Sequence, residues 1–261
     1  MGSFAILPFL FLVQGNLFDA LGISSVMVVV LHVGQSAVVF GAAGFCGLFF
    51  AEKVGFRMPI LEAWAQHKPK KIIQKAVVGS LIVAIPFGFL AGFLVLVADS
   101  IVPLLAQNSL EISVGPASFS VNALTLPSES LGITSITPAA WKGFFASLYG
   151  GINEEIAMRL FAMSFLVWVC SFFARRKGKK ISLWMIWVGI LGAAVLFGIG
   201  HLPFTATLTG LSAYIVARAL LLNGLAGIVF GWLFWKKGLE AAMVAHITAD
   251  IFLFVIVPVF G

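Results

Sequence analysis

The C-terminal half of the chain carries ionisable residues inside otherwise apolar runs. Charged groups in such runs cost several kcal/mol in a bilayer, and they usually mark a functional site. Carboxylates can accept a proton from water, imidazoles can share it, and a guanidinium can offset the excess negative charge. We therefore predict a hydrolytic site from six residues, which are Glu154, Glu155, Arg159, His201, His246 and Asp250.

Glu155 and Arg159 are four residues apart, so on a helix they share a face and can form an ion pair. Glu154 is rotated by about 100° from that face, so its carboxylate is directed elsewhere. Two adjacent carboxylates beside one arginine leave excess negative charge, which makes one of them a suitable general base. An ion pair that only ties helices together is the alternative interpretation of Glu155 and Arg159.

His246 and Asp250 repeat this spacing, so the carboxylate can fix the tautomer and orientation of the imidazole. His201 follows Phe197 at the same spacing, at the end of a glycine-containing stretch that permits close helix packing. We interpret His32 as a packing residue and His67, in a basic loop, as solvated.

The residue types leave three kinds of hydrolysis to compare. Ser147 and Ser164 lack a GxSxG context, so serine catalysis is weakly supported. Zinc could be held by His201, His246, Glu154 and Asp250, but no HExxH helix is present, and a zinc protease stays an alternative. Hydrolysis by a water molecule that a carboxylate activates would use all of these ionisable groups and would need no metal or cofactor. We predict this chemistry.

Composition places the chain in a membrane. Of its 261 residues, 61% are hydrophobic and 10% are charged, which is more apolar surface than one aqueous core can bury. The net charge of +6 is attributed to cytoplasmic loops, and no nucleic-acid partner is predicted. We predict one multi-pass domain over residues 1–261, in the cell membrane, with the lipid bilayer and a membrane-associated protein or peptide substrate as partners.

Six apolar runs are long enough to cross a bilayer. They are Ile23–Ala51, Ile72–Ala98, Ala139–Ala174, Leu183–Gly200, Leu211–Trp235 and Leu239–Phe260. Phe4–Val13 is shorter and suits an interfacial or re-entrant helix. The predicted fold is therefore an all-α, polytopic transmembrane bundle of six to eight membrane helices with an intramembrane catalytic cavity. Its catalytic core spans about residues 139–260.

Lys and Arg cluster after the first, third and fifth runs, at 68–75, 175–180 and 236–237, so these loops are predicted to be cytoplasmic. The connection Asp99–Pro138 has no Lys or Arg and is predicted to be external. Within it, residues 111–114 and 119–121 flank Gly115-Pro116, a pattern that predicts a short β-hairpin.

Three motifs resemble those of the CAAX-processing and bacteriocin-processing family of intramembrane proteases. Glu154-Glu155-Ile156-Ala157-Met158-Arg159 resembles EExxxR, Phe197-Gly198-Ile199-Gly200-His201 resembles FxxxH, and His246-Ile247-Thr248-Ala249-Asp250 resembles HxxxN or HxxxD. Each motif alone is weak, but three in the family's order within hydrophobic segments are specific. The resemblance covers roughly residues 144–254.

The resemblance implies that Glu154 and His201 hold the attacking water, and that His246 with residue 250 forms the oxyanion site. Glu155 and Arg159 would support Glu154. The prenyl-protein endopeptidases of the family carry Asn where this chain has Asp250, and an ionised Asp cannot donate to an oxyanion. Either Asp250 is protonated or it orients His246. Whether the substrate is a prenylated protein is left open.

The six-span topology conflicts with a shared site. It places His201 near the outer end of its helix and His246 roughly 10 Å inside the cytoplasmic start of its own. We expect a break at Gly224, Gly227 or Gly231, or a water-filled funnel at the sixth span. A transporter and a non-catalytic, peptide-binding immunity protein are the alternatives from other classes.

Overall fold

The computed structural model describes residue 22 and residues 24–108 and 140–260. All regular elements in these residues are helical, which confirms the predicted all-α class. The predicted Phe4–Val13 helix and the β-hairpin at 111–121 lie outside the described residues. The α-helices are α1 Ser25–Val54, α2 Pro59–Ala65, α3 Lys70–Asn108, α4 Ala140–Tyr149, α5 Ser164–Cys170, α6 Phe172–Arg176, α7 Leu183–Thr209, α8 Ala213–Lys237, α9 Leu239–Ile251 and α10 Val257–Phe260.

Five helical stretches of the described chain are long and apolar enough to cross a membrane. They are Val26–Val54, Lys70–Pro103, Leu183–Ala206, Ala213–Lys237 and Leu239–Phe260. The predicted third span, Ala139–Ala174, is helical from Ala140, but π-helical turns at Gly150–Glu154 and Ile156–Met163 divide it. The structure therefore supports five spans by length and composition, and the predicted count of six is not confirmed.

The helix ends follow from local capping. Ser24 and Ser212 accept hydrogen bonds from Met27 N (3.3 Å) and Ile215 N (3.2 Å) at the starts of α1 and α8. Gly238 has a φ of 99°, which lets the chain reverse directly from α8 into α9. The predicted end of the fourth span at Gly200 is wrong, because α7 continues through Pro203 to Thr209.

Helix α9, which carries His246 and Asp250, packs closely against α3. A Cβ at Gly88 of α3 would lie 2.5 Å from Ala245 O, so only glycine permits this approach. Gly92, one turn later, faces Ala249 and Phe252 in the same way. Small residues at such contacts let membrane helices pack through their backbones. The buried face of α9 is correspondingly rich in alanine.

The loop after α1 and the turn before α9 meet at one end of the bundle. Leu239 N donates to Arg57 O at 3.1 Å. The carboxylate of Glu240 accepts hydrogen bonds from Ile60 N (2.9 Å) and Leu61 N (2.8 Å) in the first turn of α2. Glu240, which lies in the sixth predicted span, therefore caps α2 and ties it to the helix that carries His246.

Glu62 also holds the first turn of α2. Its carboxylate bonds Arg57 Nη2 at 2.8 Å and Met58 N at 2.8 Å. Burial opposes ionisation of Glu62, but these hydrogen bonds outweigh it, so the pKa of Glu62 lies below its usual value. The contact therefore persists at pH values where a free glutamate would already be protonated.

Arg218 in the fifth predicted span has an ionic partner on α3. Its Nε lies 2.6 Å from Asp99 Oδ1, and both side chains are partly exposed. The pair joins the C-terminal part of α3 to the first turns of α8. We interpret it as a structural ion pair.

Candidate active site

The two adjacent glutamates lie where two π-helical runs meet. Glu154 ends the turn Gly150–Glu154, Glu155 has α-helical angles (φ −68°, ψ −36°), and a second π-helical run begins at Ile156. Such turns are rare and occur frequently at functional sites.

The predicted break at Gly224, Gly227 or Gly231 is wrong, because α8 is continuous from Ala213 to Lys237.

The predicted pair of Glu155 and Arg159 is confirmed. Glu155 Oε1 lies 3.0 Å from Arg159 Nη1, and both side chains are almost fully buried. Arg159 Nη2 donates to Gly227 O on α8 at 3.3 Å. The guanidinium also lies over the rings of Phe197 and Phe230, at 4.8 and 5.4 Å from their centroids. Arg159 is therefore a buried cation that joins the glutamate segment to α7 and α8.

Glu155 also contacts His246, a residue 91 positions later in the sequence. His246 Nδ1 lies 2.7 Å from the same Oε1 that pairs with Arg159. The imidazole is stacked on Phe230 at 4.6 Å between ring centroids. A carboxylate that accepts from Nδ1–H fixes the tautomer and directs Nε2 to the opposite side. An orienting role for Asp250 was one of the two alternatives from the sequence, but Glu155 makes this hydrogen bond.

The Nε2 edge of His246 faces two further carboxylates. Asp250 Oδ2 lies 3.5 Å from Nε2 and Glu154 Oε2 lies 3.8 Å from it. The side chains of Glu154 and Asp250 are 26% and 17% exposed, whereas Glu155 is fully buried. Two partly exposed carboxylates therefore converge on one imidazole nitrogen, an arrangement that suits general acid–base chemistry.

Gly150 is the nearest backbone to this edge. A Cβ at Gly150 would lie 2.9 Å from Asp250 Oδ2, 3.2 Å from His246 Nε2 and 3.5 Å from Glu154 Oε2. The absence of a side chain at position 150 therefore leaves room beside all three groups. Nothing in the sequence pattern singled out this glycine, because the contact depends on how α9 packs against the glutamate segment.

Phe197 contacts both histidines. Its ring centroid is 4.7 Å from that of His201 and 5.6 Å from that of His246, edge-on in both cases. His201 Nδ1 lies 2.9 Å from Phe197 O, so its Nε2 is the ring nitrogen left for the site. The simple topology separated these histidines, but both rings contact Phe197 in the structure. No hydrogen bond or ion pair between His201 and Glu154 is seen in the described part of the chain.

Other sequence candidates have structural partners. Ser147 Oγ donates to Gly143 O at 2.8 Å and Ser164 Oγ donates to Arg159 O at 3.4 Å, so both buried hydroxyls are used within their helices. Among residues 24–108 and 140–260, no group of three His, Cys, Asp or Glu side chains has the arrangement of a metal site. Hydrolysis without a metal or cofactor stays a prediction.

Comparison with known proteins identifies the segment that contains the site. A family model described as type II CAAX prenyl endopeptidase Rce1-like matches residues 135–252. No curated protein and no solved structure matches the chain. The matched residues include all three motifs and cover a little under half of the chain. Over residues 135–252 this membrane protein has the sequence pattern of the Rce1-like family of type II CAAX prenyl endopeptidases, as the motifs predicted.

Proposed function

We propose that the chain is an intramembrane endopeptidase that hydrolyses a peptide bond with a water molecule activated by Glu154. The observation that carries the proposal is the convergence of Glu154 and Asp250 on Nε2 of His246, whose Nδ1 is held by the Glu155–Arg159 pair. The family match supports peptide-bond hydrolysis as the reaction. A membrane-associated protein or peptide is the substrate class, and the cell membrane is the location.

Glu154 rather than Glu155 is the general base. Glu155 is fully buried and is neutralised by Arg159, so its carboxylate cannot reach a water molecule and accept a proton without breaking the ion pair. In the described part of the chain, no lysine or arginine forms an ion pair with Glu154, and its side chain is partly exposed. Its side chain can therefore accept a proton from water and later release that proton to the leaving amine.

The histidines take different parts in this reaction. Nε2 of His246 lies beside Glu154. When the ring is protonated it donates from Nδ1 to Glu155 and can also donate from Nε2 to the negative charge that develops on the carbonyl oxygen. His201, whose ring packs on the same Phe197 as that of His246, is assigned a share in holding the water. Glu155 and Arg159 are positioning residues, because they act through His246 and Glu154.

The reaction balances with these groups. Glu154 takes a proton from water, and the remaining hydroxide oxygen bonds to the carbonyl carbon. The carbon–nitrogen bond then breaks as the carbonyl re-forms, and Glu154 returns the proton to the amine. The products are a carboxylic acid and an amine, and the enzyme is unchanged.

The experiment compares new protein termini in cells that express the wild type with those in cells that express Glu154→Gln at matched levels. Glu52→Gln is the matched control, because Glu52 is an exposed glutamate on α1 outside the site. Termini that need Glu154 and persist in the control establish proteolysis and identify the substrate. The comparison is repeated with an added lysate that contains substrate. If the wild type, Glu154→Gln and Glu52→Gln then give identical profiles of protein termini, the result would contradict the proposal and favour the transport or peptide-binding alternatives.

A further inference from the structure

Asn223 is a polar residue on the inward face of α8. It lies four residues before Gly227, whose carbonyl oxygen accepts a hydrogen bond from Arg159. It also lies seven residues before Phe230, which stacks on His246. Residues with these spacings share one face of an α-helix. Polar side chains within membrane helices are costly and usually functional, so the amide of Asn223 calls for a role.

Contacts between α7 and α8 fix the depth of Asn223 in the bundle. A Cβ at Gly198 of α7 would lie 2.9 Å from Leu220 Cα, and a Cβ at Gly227 of α8 would lie 3.0 Å from Ala194 Cα. Because Asn223 lies between these two contacts on α8, it is level with the segment of α7 that they enclose. That segment includes the phenylalanine whose ring contacts both histidines of the site.

The protein uses the amide of Asn223 only in part. Its Nδ2 donates to Ala219 O of the same helix at 2.9 Å, and the residue is half-buried. Within residues 24–108 and 140–260, no group donates a hydrogen bond to its Oδ1. A polar residue that ties membrane helices together bonds a neighbouring helix, whereas Asn223 bonds only its own. Its Oδ1 is therefore a free acceptor on the inward face of α8.

A peptide that is cleaved in this site needs such an acceptor. Its backbone must be extended around the scissile bond before water can reach the carbonyl carbon. An extended segment exposes N–H groups that a helix would satisfy internally, and an unsatisfied N–H is costly where water is scarce. The carboxylates of the site are charged and take part in the reaction. Oδ1 of Asn223 is a neutral acceptor that suits a backbone N–H.

We propose that Asn223 is a substrate-binding residue, whose Oδ1 accepts a hydrogen bond from a backbone N–H of the extended peptide close to the scissile bond. This inference rests on the proposed hydrolysis at Glu154. It assigns the peptide backbone, rather than a side chain, as the group that this face of α8 recognises. No covalent bond forms or breaks at Asn223, so its contribution is to bind the peptide and to align its carbonyl carbon.

Thiol labelling of the full chain in lipid nanodiscs tests the placement without substrate. Cys46→Ser and Cys170→Ser first remove the two cysteines of the chain. In that background Asn223→Cys should react several-fold faster than Leu221→Cys with a charged, water-soluble methanethiosulfonate reagent. Leu221 is the matched control, because it is 44% exposed and lies on the opposite face of α8, toward lipid. Equal rates, or an unreactive Asn223→Cys, would overturn the placement.

Kinetics with a synthetic peptide test the role in binding. The probe copies a cleavage sequence identified by the comparison of protein termini. Asn223→Ala should raise KM on the order of 10-fold with kcat nearly unchanged, because the lost hydrogen bond serves the bound substrate and the transition state equally. Leu221→Ala should leave both constants at their wild-type values. An unchanged KM in Asn223→Ala would contradict the proposal.

Ester replacements in the probe distinguish binding from a structural effect. Each peptide bond that flanks the scissile bond is replaced in turn by an ester, which lacks the N–H. At one position the ester should raise KM of the wild type by a similar factor and have no further effect in Asn223→Ala. Esters that cost both proteins the same at every position would overturn the inference and leave the hydrolysis intact. A wild type that cleaves no probe would refute the hydrolysis, and with it the peptide ligand of Asn223.

Discussion

Nδ1 of His246 and Oε1 of Glu155 lie 2.7 Å apart, although the residues are 91 positions apart in sequence. The same oxygen pairs with Arg159, so guanidinium, carboxylate and imidazole form one buried chain. Its effect is to hold Nε2 of His246 toward Glu154 and Asp250. Glu155 thus orients His246, a role that Glu154 cannot take, because only Glu155 is directed into the core.

Removal of Arg159 should destabilise the fold. Arg159→Ala leaves Glu155 buried without its cation, and loss of one partner of a buried pair costs about 3–5 kcal/mol. The measurement is thermal unfolding of the purified protein in detergent.

Arg218→Ala is the matched control for this variant. It removes the same side chain from a partly exposed pair with Asp99, where the loss should be about 1 kcal/mol or less. Equal melting temperatures for the two variants would show that the buried pair does not support the fold.

The two adjacent glutamates should respond differently to the same substitution. Glu155→Gln removes the charge between Arg159 and His246, so it should lower the melting temperature and slow hydrolysis by about 100- to 10,000-fold through the wrong imidazole tautomer. Glu154→Gln should slow hydrolysis by about 100- to 10,000-fold with little change in melting temperature. A melting temperature that falls only in Glu154→Gln would reverse the assignment.

A methyl group at position 150 should block the site without disturbing the core. The Cβ of Gly150→Ala would lie 2.9 Å from Asp250 Oδ2, so the carboxyl group must move. Displacement of a reacting group by a fraction of an ångström to 1 Å costs about 100-fold in rate. Gly79→Ala on α3 is the control, since nothing lies within 4 Å of its Cβ position. Steady-state rates that match in the two variants would argue against this geometry.

Loss of Glu240 should release α2 from the end of the bundle. Glu240→Ala removes the acceptor for Ile60 N and Leu61 N, so the basic segment after α2 should become more accessible. Limited trypsin digestion should cleave at Lys68–Lys75 several-fold faster than in the wild type. Glu52→Gln, an exposed acid on α1, should digest at the wild-type rate. Unchanged cleavage in Glu240→Ala would mean that other contacts hold α2.

Local spacing predicted part of the site. The i, i+4 rule identified the Glu155–Arg159 pair, and it also placed Asp250 near His246, because both relations lie within one stretch of helix. The all-helical class followed from the long apolar runs. The family resemblance found from three short motifs is confirmed over residues 135–252.

Contacts between distant segments could not be predicted in this way. Periodicity gives the face of a helix but not the helix that packs on it, so the bond from Glu155 to His246 and the capping of α2 by Glu240 were missed. The third span was predicted as regular helix, whereas its backbone contains π-helical turns that no residue pattern in the chain marked. The extension of α7 to Thr209 was also missed, because the predicted span followed the apolar run only as far as Gly200, whereas the helix continues through Pro203.

The central claim is that Glu154 activates the water that cleaves the peptide bond. The most direct measurement is hydrolysis of an identified substrate by the purified chain in nanodiscs, in ¹⁸O-labelled water, with and without a metal chelator. We predict one ¹⁸O atom in each new C-terminal carboxylate, a rate unaffected by the chelator, and a loss of about 100- to 10,000-fold in Glu154→Gln. Equal rates for Glu154→Gln and the wild type, or activity that is lost with the chelator and restored by zinc, would contradict the account.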